Sequence, residues 1–152
     1  MSGTKVAYVF TTMLGIGYFP KMPGTVASAV TSLLLFLIKP SFISLSLFTV
    51  CIFIIGIFFI PVIENKDGKD ASHIVLDELC GQSVVFLFIE IPDLITVISA
   101  FILFRIFDIW KPAGINQLQK LNGGWGVLLD DVLAGIYSGL ILLTLIKSGI
   151  IQ

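Results

Sequence analysis

The chain has 152 residues, of which 57% are hydrophobic and only 12% are charged, and its mean hydropathy is +1.05. This composition excludes an ordinary water-soluble core and indicates an integral membrane protein. Its nine basic and ten acidic residues nearly cancel, which argues against nucleic acid as a partner because phosphate-backbone binding needs clustered Lys and Arg. We expect residues 1–152 to form a single domain.

A first polar segment, residues 15–25, precedes a predicted helix that starts near Thr25 and runs to residue 38. Its prolines and Gly24 prevent a continuous helix and leave backbone N–H groups exposed ahead of that helix. Such N–H groups and the positive end of the helix dipole favour phosphate oxygens, with Thr25 as a cap or an extra donor. A plain loop with an N-cap would explain the same residues.

Two long apolar runs predict membrane spans. Residues 42–63 form an uncharged run of 22 residues, which as a helix would be roughly 33 Å long, enough for a hydrocarbon core of about 30 Å. Residues 132–151 form the second run, in which the long side chain of Lys147 can reach the headgroups. The other apolar segments are shorter, and the polar cluster at 90–93 divides one of them, 83–107, into two pieces. We therefore expect an all-α, multi-pass membrane protein with three to four membrane-embedded helical segments.

The second polar segment carries Asp70, Asp77 and Glu78, and residues 74–81 resemble a helix that enters the membrane. Because neighbouring residues differ by about 100° around a helix, we expect Asp77 and Glu78 to point in different directions. Asp70 would share the face of Asp77 if the helix began early. Gly81, one turn after Asp77, would let another backbone or a ligand approach that face. Solvated acids at a helix start are an equally good explanation.

The third polar segment places Arg105, Asp108 and Lys111 at helical spacing, so Arg105 and Asp108 can share a face. A local salt bridge is the simplest reading of that pair. Further along, residues 123–126 predict a flexible turn ahead of a helix whose first turns carry paired acids, Asp130 and Asp131. The small residues that follow predict a helix-packing seam; they are Ala134, Gly135, Ser138 and Gly139.

The basic residues predict the orientation of the chain in the membrane. With turns near Lys39 and Pro92, seven of the nine basic residues share one side with all three polar segments. The positive-inside rule makes that side cytoplasmic. The acidic side chains that would gather there are Asp70, Asp77, Glu78, Asp108, Asp130 and Asp131.

Carboxylates beside cationic side chains and glycine-rich turns suit a site in which Mg²⁺ and cations hold a phosphate. Neither Cys51 nor Cys80 has an arginine six residues later, as a cysteine phosphatase loop requires, and no Asp-x-Asp pair offers an aspartyl nucleophile. A metal-activated water is therefore predicted rather than a covalent phospho-enzyme. His73 is the single histidine, and a histidine at a polar helix start is more often hydrogen-bonded or solvent-facing than catalytic.

Four motifs follow one another in a distinctive order: Gly15-x-Gly17-x-x-Pro20-x-x-Pro23-Gly24-Thr25, Ile74-Val75-x-Asp77-Glu78-x-x-Gly81, Phe104-Arg105-x-Phe107-Asp108-x-x-Lys111-Pro112, and Gly123-Gly124-x-Gly126-x-x-x-Asp130-Asp131-x-x-Ala134-Gly135. In these motifs the chain resembles the phosphatidylglycerophosphatase A family. The resemblance implies an all-helical, Mg²⁺-dependent enzyme of a bacterial inner membrane. Its substrate would be phosphatidylglycerophosphate, which loses its terminal phosphate to leave phosphatidylglycerol. Four residues depart from the family pattern, namely Ala27, Ala71, Gly114 and Gln119.

The resemblance and the polar segments together suggest roles for individual residues. Metal ligation is expected from Asp77, Glu78, Asp130 and Asp131. Asp108 is expected as a ligand or base, beside Asp77 and Asp130 as catalytic residues. Phosphate binding is expected from Arg105, Lys111 and Lys69, with backbone N–H groups near Gly24, Thr25 and Gly124.

Other functions fit part of the same pattern. A phosphatase for another lipid phosphate would need the same metal and phosphate groups. A small ion transporter could use membrane carboxylates as a cation pathway, although the acids cluster on one side and residues 42–63 carry none. A structural scaffold gives no reason for these polar segments. The oligomeric state does not follow from the sequence.

Overall fold

The computed structural model of the chain describes residues 3–90, 92–112 and 114–151. Within these ranges the protein contains seven α-helices, one short 3-10 helix at Ile16–Tyr18 and no strand, which confirms the predicted all-α fold. The α-helices are α1 (Gly3–Thr11), α2 (Pro23–Ile38), α3 (Phe42–Asp67), α4 (Leu76–Phe86), α5 (Leu94–Trp110), α6 (Ile115–Leu118) and α7 (Gly124–Lys147).

Helices α3 and α7 are long and apolar enough to cross a membrane, the two such helices in the described ranges. Much of the apolar surface of α3 faces outward: the side chains of Ile43 and Phe58 are 71% and 69% exposed. The core helix of a water-soluble protein would bury such side chains, whereas a lipid-facing helix exposes them. Length, composition and exposure together indicate a membrane protein.

The ends of the helices differ in part from the predicted ones. Helix α3 contains the whole run 42–63 and continues to Asp67, after Ser41 caps its start by accepting a hydrogen bond from the backbone N–H of Ser44. Helix α7 confirms the second predicted span, although it occupies 124–147 rather than 132–151. Residues 124–126, predicted to form a flexible turn ahead of this helix, belong to its first turn, where Gly124 fits against the backbone of α3. The helix stops earlier because the chain turns at Gly149, whose φ is 74°.

Helix α4 lies at the centre of the bundle and packs against α2, α3, α5 and α7. It has 11 residues, and most of them are buried. The predicted division of residues 83–107 into two pieces is confirmed, because α4 ends at Phe86 and α5 begins at Leu94. Asp93 caps α5, its Oδ1 accepting a hydrogen bond of 2.8 Å from the backbone N–H of Thr96.

Helices α4 and α7 approach each other through small residues. A Cβ added to Gly81 would lie 2.6 Å from the backbone oxygen of Asp131, and one added to Gly135 would meet the carbonyl of Gly81. Gly139 fits against the ring of Phe88 in the same way. The predicted packing seam and the predicted close backbone approach at Gly81 are both confirmed.

The three polar segments meet at one end of the bundle. Gly24, in the first turn of α2, lies against the carboxyl group of Glu78 in the first turn of α4. Lys111, which follows α5, forms an ion pair with Asp130 in the second turn of α7. The expected convergence of the acidic residues therefore takes place, because α2, α4 and α7 start where α5 ends.

The contact at Gly81 predicts a stability effect. Gly81→Ala should lower the thermal unfolding temperature of the detergent-solubilised protein, because the new methyl group meets a backbone atom that cannot rotate away, at a cost of about 1–3 kcal/mol. Gly3→Ala is the control, since a Cβ there meets nothing within 4 Å. Equal unfolding temperatures for the two variants would contradict the close approach of α4 and α7.

Candidate active site

A trio of carboxylates forms the centre of the site. Asp77 and Glu78 come from the first turn of α4 and Asp131 comes from α7, and one oxygen from each lies within 4.8 Å of the other two. Asp77 and Asp131 are buried, and Glu78 is partly so. The close packing at Gly81 brings these side chains together, because Gly81 holds α4 against the backbone of Asp131 itself.

The expectation that Asp77 and Glu78 point in different directions was wrong at the level of their carboxyl groups. Their Cα atoms do start about 100° apart around α4. The Glu78 side chain is longer by one methylene, and its carboxylate reaches the same cluster as that of Asp77. Angular position around a helix therefore did not decide where these acidic groups end.

Each member of the trio keeps a buried oxygen that has no hydrogen-bond partner among the described residues: Asp77 Oδ1, Glu78 Oε2 and Asp131 Oδ2. Burial, followed by the nearby charge of Asp131, raises the pKa of Glu78 to about 8. Burial and the charge of Glu78 likewise raise the pKa of Asp77 well above its ordinary value. Both groups lie on α4, outside the two helices that are long enough to span a membrane. Ionised oxygens in this setting need a cation, and the trio offers the hard oxygen ligands that Mg²⁺ prefers.

Two cationic side chains from the end of α5 border the trio. Arg105 Nη1 pairs with Asp108, lies 3.9 Å from Glu78 Oε1 and is 3.5 Å from the hydroxyl of Ser28. The predicted Arg105–Asp108 salt bridge is therefore present, and the arginine also reaches the trio. Ser28 is a neighbour that the motifs did not indicate, although it follows Gly24 by one helical turn.

Lys111 occupies a left-handed backbone conformation, with φ 48°, at the end of α5. Its Nζ pairs with Asp130, which precedes Asp131 on α7 and was also expected to bind metal. The structure thus gives the two neighbouring acids different surroundings: Asp131 belongs to the trio, and Asp130 belongs to an ion pair at its edge. Successive positions on a helix face different neighbours. The sequence alone did not show which of the two acids would join the trio.

The first polar segment contributes Gly24 and Thr25. A Cβ at Gly24 would meet Glu78 Oε1, so a larger residue there would displace the carboxyl group of Glu78 from its present position. Thr25 is not the N-cap of α2, since Met22 takes that position without a side-chain hydrogen bond. The Oγ1 of Thr25 is buried and has no hydrogen-bond partner in the part of the chain that the structure describes. It is thus a spare donor beside the site.

Lys69, Asp70 and Gln119 form a neighbouring polar group. Lys69 Nζ donates to the backbone oxygen of Gln119 at 3.2 Å, and Gln119 Nε2 donates to Asp70 at 3.0 Å. Asp70 sits in a turn with φ 52°, and α4 begins only at Leu76, so the idea that it shares a helix face with Asp77 was wrong. The side-chain amide of Gln119 is thus hydrogen-bonded to the carboxylate of Asp70.

Gly124 is not brought to the trio. A Cβ there would meet the backbone of α3 at Gly56 and Ile57, which makes Gly124 part of the packing between α3 and α7. Gln82, which the motifs did not single out, is fully buried one turn after Glu78, and neither atom of its amide has a partner within residues 3–90, 92–112 and 114–151. Gln82 lies four residues after an acid in an apolar helix, and this spacing could have indicated it in the sequence.

The histidine has partners of its own outside the trio, and the buried cysteine is a poor nucleophile. His73 Nε2 lies 3.0 Å from Asp67, and its ring stacks on Tyr18 with centroids 5.5 Å apart. Burial raises the pKa of the Cys80 thiol to about 12, so the thiol stays protonated. The acids and the two cations at the end of α5 are thus the charged groups that lie together at this site.

Comparison with known proteins agrees with this arrangement. The family model for phosphatidylglycerophosphatase A matches residues 9–146. A Bacteroides thetaiotaomicron protein provisionally named phosphatidylinositol-3-phosphatase is 38% identical over 138 residues, 84% of this chain and 85% of that protein. The Escherichia coli K12 phosphatidylglycerophosphatase A is 30% identical over 84% of this chain and 76% of its own length. A Haemophilus influenzae protein of the same name is 37% identical over 60% of this chain and 58% of its own.

No solved structure matches the chain. The family model covers nearly the whole chain, including the trio, both cations and the start of α2. The chain therefore belongs to the phosphatidylglycerophosphatase A family.

Proposed function

We propose that this enzyme hydrolyses the terminal phosphate of phosphatidylglycerophosphate in a Mg²⁺-dependent reaction that yields phosphatidylglycerol and phosphate. The observation that carries the proposal is the trio, whose three buried carboxylate oxygens have no hydrogen-bond partner among the described residues and which Arg105 and Lys111 border. Family membership and the names of the Escherichia coli and Haemophilus influenzae relatives support the choice of substrate.

In this proposal Asp77, Glu78 and Asp131 hold the metal ion. When bound there, Mg²⁺ supplies positive charge that neutralises the carboxylates and polarises a phosphate oxygen. The fit rests on the donor set, since three carboxylate oxygens within 4.8 Å of one another have the chemistry of a magnesium site. Asp130 stays close by, and its pairing with Lys111 makes it a positioning residue for that ammonium group.

Arg105 and Lys111 bind the phosphate of the substrate, helped by backbone N–H groups at the start of α2 near Gly24. Charge-assisted hydrogen bonds from these groups orient the phosphorus atom and stabilise charge that develops on its oxygens. Asp108 takes a proton from the attacking water, whose oxygen forms the new bond to phosphorus. The bond from phosphorus to the glycerol oxygen breaks, and that oxygen takes up the proton that Asp108 accepted, so it leaves as the free hydroxyl group of phosphatidylglycerol.

Another lipid phosphomonoester is the second candidate substrate. The observation that favours it is the 38% identity with the Bacteroides thetaiotaomicron protein, whose provisional name refers to phosphatidylinositol 3-phosphate. Both lipids combine a phosphomonoester with a phosphodiester and two acyl chains. The trio and the cations would act on the phosphomonoester of either lipid. An assay must therefore compare substrates that differ in the head group between the two phosphates.

We place the site at the cytoplasmic face of a bacterial inner membrane, in a single domain with three to four membrane-embedded helical segments. The support is the shared end of the bundle at which all three polar segments meet, together with the excess of basic residues expected there. The acyl chains of the substrate would remain in the bilayer while its phosphomonoester reaches the trio.

The activity is tested by phosphate release from phosphatidylglycerophosphate in detergent. Release should require Mg²⁺, stop with excess chelator and fall at least about 100-fold in Asp131→Asn, since even the partners of metal ligands are worth about 10- to 100-fold. Asp93→Asn is the control because Asn caps α5 as well as Asp does. Faster phosphate release from phosphatidylinositol 3-phosphate would show that this lipid is the preferred substrate. Near-normal turnover of Asp131→Asn would contradict the proposed active site.

Metal binding by the trio has a readout that does not depend on turnover. The thermal unfolding temperature of the native sequence should rise with Mg²⁺ concentration, because a ligand that binds only the folded state stabilises it. In Asp77→Asn this rise should be lost, while the unfolding temperature without metal should stay equal or increase, since Asn is neutral and replaces an acid whose charged form is disfavoured by burial and by Glu78. Asp93→Asn should keep the full response, and a normal Mg²⁺ response of Asp77→Asn would exclude the trio.

The orientation is tested by labelling single cysteines at the two ends of α3. Lys39→Cys and Lys66→Cys, each made with Cys51→Ser, should react with an impermeant maleimide from opposite sides of a sealed vesicle. The reason is that Lys39 precedes α3 and Lys66 lies in its last turn. Cys80 is buried and provides the background signal. Labelling of both positions from one side would contradict the proposed crossing.

A further inference from the structure

Helix α4 carries a buried amide to which the proposed chemistry gives no role. Gln82 is fully buried, and both its Nε2 and its Oε1 lack a hydrogen-bond partner within the described ranges. Buried amides are nearly always hydrogen-bonded, because burial removes their bonds to water. The next residue, Ser83, is equally buried, and its hydroxyl donates to the carbonyl of Leu79 at 2.7 Å. The unpaired state is therefore a property of Gln82 and not of this whole turn of the helix.

Gln82 follows Glu78 by one helical turn, on the same side of α4. Residues four apart on a helix are neighbours, with about 5–6 Å between their Cβ atoms. Helices α2 and α4 pack together, both start at the active site, and their first turns meet where Gly24 lies against the carboxyl group of Glu78. The second turns, which carry Ser28 and Gln82, therefore lie at the same level. The Ser28 hydroxyl is 3.5 Å from Arg105 Nη1, so the packing places Gln82 near both Glu78 and Arg105.

The unpaired atoms near Gln82 are complementary to its amide. Glu78 Oε2 is a buried acceptor and Arg105 Nε is a buried donor, and each lacks a hydrogen-bond partner in the part of the chain that the structure describes. An amide donates through its nitrogen and accepts through its oxygen. Because an ionised carboxylate only accepts and a guanidinium only donates, a single orientation of the amide satisfies both groups. Its Nε2 then faces Glu78, and its Oε1 faces Arg105.

We propose that Gln82 is a positioning residue that links Glu78 to Arg105 in the ligand-bound site, its Nε2 donating to Glu78 Oε2 and its Oε1 accepting from Arg105 Nε. The inference rests on the proposed function, in which Glu78 holds the metal ion and Arg105 binds the phosphate. Rotation of the Gln82 side chain is enough to make both bonds, since it shares a helix face with Glu78. A carboxylate has about four lone-pair sites, so the bond to Gln82 leaves sites for the metal ion and fixes their direction.

The first arm of the test measures metal binding without turnover. Gln82→Met removes the amide and keeps an unbranched side chain of similar size. The Mg²⁺ concentration that gives half of the rise in unfolding temperature should increase at least about tenfold, as is usual when the partner of a metal ligand is lost. Without metal the unfolding temperature should stay equal or increase, because a buried unpaired amide is removed. Ser83→Ala is the matched control and should keep the native response, since that hydroxyl already has a partner on its own helix.

Two outcomes of this arm would overturn the proposal. The first is a native Mg²⁺ response in Gln82→Met. The second is a large loss of stability without metal in both Gln82→Met and Gln82→Leu, which would show that the amide supports the fold and not the ligand-bound site.

The second arm asks whether Gln82 acts through Arg105. Arg105→Lys keeps the positive charge and removes Nε. Gln82→Met should lower kcat/KM for phosphatidylglycerophosphate at least about tenfold in the native sequence. In the Arg105→Lys background the same change should lower it less than about threefold, because residues that share an interaction are not additive. Equal fold-losses in the two backgrounds would overturn the link between Gln82 and Arg105.

The two arms also separate this proposal from the proposed function. Phosphate release and Mg²⁺ stabilisation that are present in the native sequence and unchanged in Gln82→Met would disprove the role of Gln82 alone. A native sequence that shows neither phosphate release nor Mg²⁺ stabilisation would disprove the proposed function, and the role of Gln82 with it.

Discussion

The close approach of α4 and α7 is the constraint on which the rest of the structure depends. Gly81 allows the two backbones to meet at Asp131, and Gly135 allows the same contact from the other helix. The acids of α4 are in its first turn, and Asp131 lies at the contact itself. The packing of α4 on α7 therefore also brings the three carboxylates of the trio together. A larger residue at this contact would separate the helices and the carboxylates together.

The same packing places negative charge where water is scarce, which is unfavourable unless cations share the site. The protein provides two of them from the end of α5, Arg105 against Asp108 and Glu78, and Lys111 against Asp130. The oxygens of the trio that stay unpartnered among the described residues have the chemistry of a metal site. Buried acids are less favourable than an apolar core would be, and a cation that binds only the folded state would stabilise it.

Helices α2 and α5 complete the surroundings of the trio. Gly24 lets the first turn of α2 reach Glu78, and Arg105 reaches from α5 to the same carboxylate. Both helices therefore have to keep their positions for Glu78 to keep its place in the cluster.

The all-α fold, the helical run 42–63 and the meeting of the polar segments at one end followed from the sequence, because hydrophobic length and charge placement act locally along the chain. Among the partners of the acids, only the Arg105–Asp108 pair followed from the sequence. Asp77 and Glu78 start apart around α4 and still share a cluster, while the neighbours Asp130 and Asp131 have different partners. Side-chain length and the packing of α4 on α7 decided these contacts, and both act between residues that are distant in the sequence.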